Sequence, residues 1–138
     1  MNKMNIRRII REEIEGITHQ WVKATTGSND LRVIVKKGDT PVGVSTIARF
    51  GDSVYNVSGE DIQHTIMGLS VPPKHQGKGY GNILMDLTIE KARELTDKLY
   101  LIVSETNEKA INLYKKKGFK DMGPHPKYTR NRVMVLDL

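Results

Sequence analysis

One stretch constrains the fold of this chain most: a glycine-rich turn between an apolar strand pattern and an apolar helix pattern. The turn contains Pro72 and Pro73, followed by glycines at positions 77, 79 and 81. Because glycine lacks a Cβ atom, backbone N–H groups in such a turn can approach a ligand closely. The first N–H groups of a helix also lack internal partners and lie at the positive end of its dipole. The sequence therefore predicts a phosphate or pyrophosphate site between this strand and this helix.

The glycines alone would be equally consistent with a flexible turn that binds nothing; the strand before them and the helix after them favour an anion site. Two common phosphate-binding motifs do not fit. The dinucleotide fingerprint requires a glycine where the chain has Asn82. The P-loop spacing fails upstream of Lys78.

The turn instead resembles the acyl-CoA signature Gln/Arg-x-x-Gly-x-Gly/Ala of the GNAT superfamily of N-acetyltransferases, here from Gln76 to Gly81. A second block is similar to the family's Asn-x-x-Ala, Leu-Tyr and Gly-Phe pattern: Asn107-Glu108-Lys109-Ala110, Leu113-Tyr114 and Lys117-Gly118-Phe119. The resemblance covers residues 30–138. It implies an α/β (α+β) fold, in which a mixed central β-sheet is flanked by helices on both faces. We expect one domain over residues 1–138, with a shortened N-terminal helical region.

The resemblance also implies the reaction, transfer of an acetyl group from acetyl-CoA to a primary amine by direct attack on the thioester. The pantetheine arm would pair with the backbone near Leu69 and Val71, and the N–H group of Leu69 would stabilise the oxyanion. The pyrophosphate would bind the N–H groups from Gln76 to Gly81. The cofactor-binding residues expected on this basis are Leu69, Ser70, Val71, Gln76, Gly77, Lys78, Gly79, Tyr80, Gly81, Asn82, Asn107, Ala110 and Tyr114.

Tyr114 occupies the general-acid position of the family, although helical spacing alone favours a tyrosine that only packs in the core. Asn107 is expected to cap a helix, with or without a contact to CoA. Glu60, Asp61 and His64 are the candidates for the base that deprotonates the amine. A solvated Glu60, a sheet-packed His64 and a water relay, or an amine that arrives neutral, are the alternatives. His75 is expected to contact phosphate or solvent.

Composition narrows the alternatives. The chain of 138 residues has a net charge of +6 and no cysteine, which excludes disulfides and thiolate metal sites. We expect no metal site, no membrane span and no signal peptide, consistent with a cytoplasmic protein. A CoA-binding regulatory module without turnover is the main alternative. A basic nucleic-acid-binding domain is less well supported, because few aromatic residues lie beside basic clusters.

Periodicity predicts the order helix, three strands, helix, strand, helix, two strands. The first helix is expected over residues 6–25, from the spacing of Ile10, Ile14, Ile17 and Trp21, with a short edge strand at 5–9 as an alternative for its start. His19 would lie on this helix. The short N-terminal region suggests an open cleft, and hence a bulky acceptor or a homodimer. The acceptor, whether a small molecule or a peptide, is not identified by the sequence.

Overall fold

The computed structural model describes residues 16–25 and 29–138. Its strands are β1 (Ile17–Lys23), β2 (Leu31–Lys37), β3 (Thr40–Phe50), β4 (Gln63–Ser70), β5 (Lys98–Ser104), β6 (Lys120–Pro124) and β7 (Asn131–Asp137). Its helices are α1 (Tyr80–Leu95) and α2 (Glu108–Lys116), and a single 3₁₀ turn covers Pro73–His75.

The strands form one seven-stranded mixed sheet in the order β1-β2-β3-β4-β5-β7-β6. Every neighbouring pair is antiparallel except β4 and β5, which are parallel and joined through α1. This confirms the predicted mixed-sheet fold class. Strands β2 and β3 form a hairpin, with its turn at Gly38 and Asp39.

The predicted N-terminal helix is wrong for the part that the structure describes. Residues Ile17–Lys23 form β1, which pairs antiparallel with β2, and His19 is an exposed residue of this strand. Ile17 and Trp21 both pack on a core cluster. A spacing of four residues places two side chains on one face of a strand as well as of a helix, so this pair did not discriminate between the two. The rest of the predicted helix, and its alternative strand at 5–9, lie outside the described residues.

Both described helices contribute side chains to the same core cluster. Met85 and Ile89 of α1 and Ile111 of α2 meet apolar residues of the central strands there. On the opposite face of the sheet, Tyr100 of β5 and two valines of β7 are covered by Val57 from the β3–β4 loop. On this face of the sheet, therefore, a loop covers apolar residues of the strands, whereas α1 and α2 cover those on the other face. The chain between β1 and β2, residues 24–30, is only seven residues long.

Candidate active site

The sheet opens between β4 and β5. The two strands pair only through His64, Thr65 and Ile66, opposite Leu99 to Leu101. On its other side, where it pairs with β3, β4 carries a bulge. Val44 of β3 faces Ser70 and Thr46 faces Met67, so one residue of β3 lies opposite two residues of β4. Gly68 in this bulge has a φ of 64°, a conformation that favours glycine. Beyond Ile66, β4 therefore turns its backbone toward a gap that no other described strand fills.

The glycine-rich loop lies at the end of this gap. Gly77 and Gly79 have φ values of 77° and 88°, which L-residues rarely adopt. Gly79 is the N-cap of α1 and offers no capping side chain, and the first helical bond runs from the Ile83 N–H to the Gly79 oxygen at 3.2 Å. The N–H groups of Tyr80, Gly81 and Asn82 precede that bond, so they are the unpaired donors expected at a helix start. The loop thus has the backbone geometry of an anion site.

Side chains around the loop have different roles. The Gln76 side chain donates from Nε2 to the Val71 oxygen at 2.9 Å, which braces the loop from within. The ring of Tyr80 is 3% exposed and packs with Val33 and Leu84, so its side chain belongs to the core. Lys78 and Asn82 are exposed.

The helix α2 begins beside the same gap. As predicted, Asn107 is its N-cap, and its Oδ1 accepts from the Ala110 N–H at 3.2 Å. Gly118, with φ of 100°, follows the helix end. Tyr114 lies seven residues beyond the cap, about 10 Å along the helix axis. Tyr114 packs against the core cluster that contains Leu101, the residue of β5 at which β4 and β5 part.

Tyr114 is half-buried against the main core cluster, with its ring centroid 6.0 Å from that of Phe119. Burial raises the pKa of the Tyr114 phenol above its ordinary value of 10.0. The phenol therefore holds its proton at neutral pH and can act as a donor.

Glu60 and His64 lie toward the other end of β4. His64 is five residues before Leu69, about 16 Å along an extended strand, and Glu60 is an exposed residue of the loop before β4. Burial, followed by the charge of Arg49, lowers the pKa of His64, and the Glu60 charge partly opposes this. Its Nδ1 is shielded from solvent and has no hydrogen-bond partner in the described part of the chain. His64 borders an open depression of about 360 Å³, which is lined by Asn29, Leu31, Ile47, Arg49, His64 and Leu95.

His75 stands in the 3₁₀ turn before the glycines. Its ring meets the Tyr80 ring edge-on, with centroids 6.4 Å apart. Burial and then the charges of Lys74, Lys78 and Lys37 lower the pKa of His75. Its Nε2 is shielded and has no partner among the described residues.

Side-chain hydrogen bonds that were not predicted from the sequence hold the β3–β4 loop together. The buried Gln63 amide accepts from the Val57 and Ser58 N–H groups at 2.7 and 3.0 Å, and donates to the Tyr55 oxygen and the Thr65 hydroxyl, both at 2.9 Å. The Asn56 Nδ2 lies within 3.1 Å of three loop carbonyls. Both side chains satisfy backbone groups that a polar loop would otherwise expose.

His125, in the loop between β6 and β7, ties that loop to the β3–β4 loop. Its buried Nδ1 accepts from the N–H groups of Lys127 and Tyr128 at 3.1 and 3.0 Å. The proton is therefore assigned to Nε2, which donates to the Val54 oxygen at 3.0 Å. No sequence pattern pairs residues 71 positions apart, so this contact could not have been read from spacing.

Residues 16–25 and 29–138 contain no group of three or more histidine or acidic side chains arranged to hold a metal ion. In the same ranges, neither helix has the length and hydropathy that crossing a membrane requires.

Comparisons with known proteins agree with this geometry. The chain is 28% identical to the peptidyl-lysine N-acetyltransferase YjaB of Escherichia coli, over 87% of this chain and 84% of that protein. It is 30% identical to the N-alpha-acetyltransferase RimI of Mycobacterium tuberculosis, over 69% of this chain and 55% of the relative. The chain spans 26% and 59% of the lengths of two other curated relatives that it matches.

Among solved structures, a GNAT family acetyltransferase from Elizabethkingia anophelis with acetyl-CoA bound shares the fold, with a TM-score of 0.69 and 16% identity, over 90% of this chain and 99% of that one. The model of the acetyltransferase (GNAT) family matches residues 5–119, which is most of the chain. The chain therefore belongs to the acetyltransferase (GNAT) family.

Proposed function

We propose that this chain is an acetyl-CoA-dependent N-acetyltransferase that moves the acetyl group to a primary amine by direct attack on the thioester. The observation that carries the proposal is the opening between β4 and β5, which ends at the glycine loop. An extended, amide-rich chain can pair with the free edge of β4 while its diphosphate binds at the start of α1. Acetyl-CoA has this combination of parts.

In this proposal the cofactor is bound mainly by backbone groups. The pantetheine amides pair with β4 from Leu69 to Val71, as in other complexes in which an extended ligand adds a strand to a sheet. The diphosphate accepts from the N–H groups between Gln76 and Asn82, and Lys78 adds charge. Asn107 and Ala110 flank the same opening from α2.

The chemistry follows from the position of the thioester in the opening. The amine nitrogen attacks the carbonyl carbon, and the oxygen takes up the negative charge. The N–H group of Leu69 then donates to that oxygen; a donor of this kind lowers a barrier by about 3 kcal/mol. When the tetrahedral intermediate collapses, the C–S bond breaks, and Tyr114 gives its proton to the departing CoA thiolate.

The amine must lose a proton before or during attack. His64 and Glu60 remain the predicted bases, but their distance from Leu69 favours a water relay over direct contact. The lowered pKa of His64 keeps its imidazole neutral near pH 7, as a proton acceptor must be. A His64→Gln variant with an unchanged pH profile would remove this residue from the relay.

The acceptor class, a cytoplasmic location, the single-domain organisation and a homodimer also remain predictions. The short β1–β2 connection is consistent with the predicted open cleft, which suits a bulky acceptor or completion of the wall by a second copy. Sedimentation of the purified chain tests the dimer: a monomer at all accessible concentrations would contradict it.

The direct test combines cofactor binding with turnover. Calorimetry should show uptake of both CoA and acetyl-CoA, and thiol release should require an amine from a panel of polyamines, amino acids and lysine-containing peptides. Binding without thiol release would indicate a regulatory module. Absence of binding would overturn the proposal.

A more specific prediction concerns Tyr114. Replacing it with phenylalanine keeps the ring packing but removes the donor, so kcat should fall by about 10²-fold while the Kd for CoA stays within about twofold. An unchanged kcat would exclude Tyr114 as the acid. A large change in Kd would instead mean that the hydroxyl acts in binding.

A further inference from the structure

Three lysines from two separate segments lie around the glycine loop. Lys74 and Lys78 belong to the loop, and Lys37 is the last residue of β2, before the turn to β3. All three are exposed, and none has an ion-pair partner in the part of the chain that the structure describes. The carboxylate nearest to Lys37 in sequence is Asp39, in the hairpin turn. The three lysines therefore leave a net positive charge beside the loop.

The fold brings the hairpin to the loop. A Cβ atom on Gly43 of β3 would lie 3.3 Å from the Ser70 oxygen and 3.4 Å from Val71 Cγ2, so β3 packs directly against the end of β4. Thr40, the partner of Lys37 across the hairpin, is three residues nearer to the turn than Gly43. Because β3 and β4 are antiparallel, the hairpin tip extends about 10 Å beyond this contact, on the side where the loop lies.

The environment of His75 agrees with this placement of the hairpin, because Lys37 is one of three lysines whose charges lower the pKa of its imidazole. Its Nε2 is shielded and unpartnered among the described residues, and Lys74, Lys78 and Lys37 all act on its imidazole in the same direction. Lys37 reaches this position from a different part of the chain, 38 residues earlier. The hairpin side of the loop is therefore a cationic surface beside the Nε2 atom of His75, which has no hydrogen-bond partner among the described residues.

We propose that Lys37 is a specificity-determining residue that binds the 3′-phosphate of CoA together with Lys74. The inference rests on the proposed function. The backbone donors of the loop match the diphosphate, but the 3′-phosphomonoester is a separate group with a charge of about −1.5 to −2 at pH 7. It needs cations in addition to the backbone donors of the loop, and lysine binds phosphate as a point charge. The lysines on the hairpin side are available for this second anion.

The test is calorimetric titration with CoA and with 3′-dephospho-CoA at one fixed physiological salt concentration. The native chain should bind CoA about tenfold more tightly than the dephospho form. Lys37→Ala should remove most of this preference by weakening CoA alone, with dephospho-CoA unchanged. Lys37→Arg, which keeps the charge, should retain most of the preference.

Lys23→Ala is the matched control. Lys23 is also an exposed lysine and the last residue of its strand, but it faces Leu31 at the opposite end of β2. It should leave both affinities unchanged. Equal binding of the two ligands by the native chain, equal weakening of both by Lys37→Ala, or a lost preference in Lys23→Ala would overturn the inference. If the native chain bound neither ligand, the proposed function itself would fail.

Discussion

Two loops of this protein flank β4, one at each end. They differ in whether side chains of the protein form hydrogen bonds to the backbone N–H and carbonyl groups of the loop. The β3–β4 loop, residues 51–62, satisfies its own N–H and carbonyl groups with the Gln63 and Asn56 side chains. The loop from Val71 to Gly79 has one such brace, from Gln76 to the Val71 oxygen, and then a series of glycines. Its donors at the start of α1 lack the intrahelical partners that later N–H groups have.

The difference separates a structural loop from a binding loop. A backbone group that is already paired gives nothing to a ligand, whereas an unpaired donor at a helix start gains a partner when an anion binds. Both loops are polar and contain glycine, so composition alone does not distinguish them. The two loops differ in how many side chains form hydrogen bonds to the backbone of the loop itself.

The largest expected effect on CoA binding comes from replacing one glycine in each loop with valine, which strains the backbone of both loops to a similar extent. Gly79 and Gly59 have φ values of 88° and 76°, and an added Cβ atom at either position would meet no described atom within 4 Å. Valine at either position costs at least about 1–2 kcal/mol of strain. Gly79→Val should weaken CoA binding by more than about 100-fold, because the donors must stay aimed at the diphosphate.

Gly59→Val is the control for that substitution. It should lower the melting temperature to a similar extent and leave the Kd for CoA unchanged. Intact CoA affinity in Gly79→Val, measured by calorimetry, would mean that the loop does not hold the diphosphate.

The two glutamines offer the next contrast. Gln63→Ala removes the four hydrogen bonds of a buried side chain and should reduce the free energy of unfolding by about 3 kcal/mol, with little change in CoA affinity. Gln76→Ala removes one exposed bond and should cost less than about 1 kcal/mol of stability. Its expected effect is an affinity for CoA that is weaker by about three- to tenfold, because the brace that shapes the loop is lost. Urea unfolding and calorimetry on both variants test this, and a reversed pattern would contradict the assignment of the two loops.

The smallest effect concerns pH. The pKa of free His75 is lowered by burial and by three lysines, and a bound phosphate would offset those charges and raise it. Binding then takes up a proton, so affinity should increase by about two- to fivefold as the pH falls through the interval between the two pKa values. Dephospho-CoA is the ligand to use, because it lacks the phosphomonoester that titrates in the same range. His75→Gln should abolish the dependence of affinity on pH. His19→Gln, which changes an exposed residue of β1, should retain it.

The sequence was sufficient for the features that depend on neighbouring residues. The glycine loop, α1 and the Asn107 cap of α2 each follow from local patterns of a few residues, and the structure has the elements where those patterns predicted them. The helix predicted over β1 failed because Ile17 and Trp21 fit both periods. The bulge at Gly68 had a signal that was not used, since an isolated glycine inside a strand pattern often marks a bulge.

Features that depend on tertiary contacts had no local signal. The hydrogen bond of His125 to Val54 and the approach of Lys37 to His75 require strands to be ordered in space first. The same holds for the opening in the sheet, because nothing in β4 or β5 alone states where their pairing ends. Sequence motifs therefore located the glycine loop but not the surface around it.

The opening between β4 and β5 has a consequence for the lifetime of the protein. If acetyl-CoA supplies the missing strand, the cofactor completes the sheet and becomes part of the folded structure. Saturation at about 100 times the Kd would then add about 2.7 kcal/mol of stability. Turnover of the protein by proteases would follow the metabolic supply of acetyl-CoA, and the chain would persist longest when its substrate is abundant.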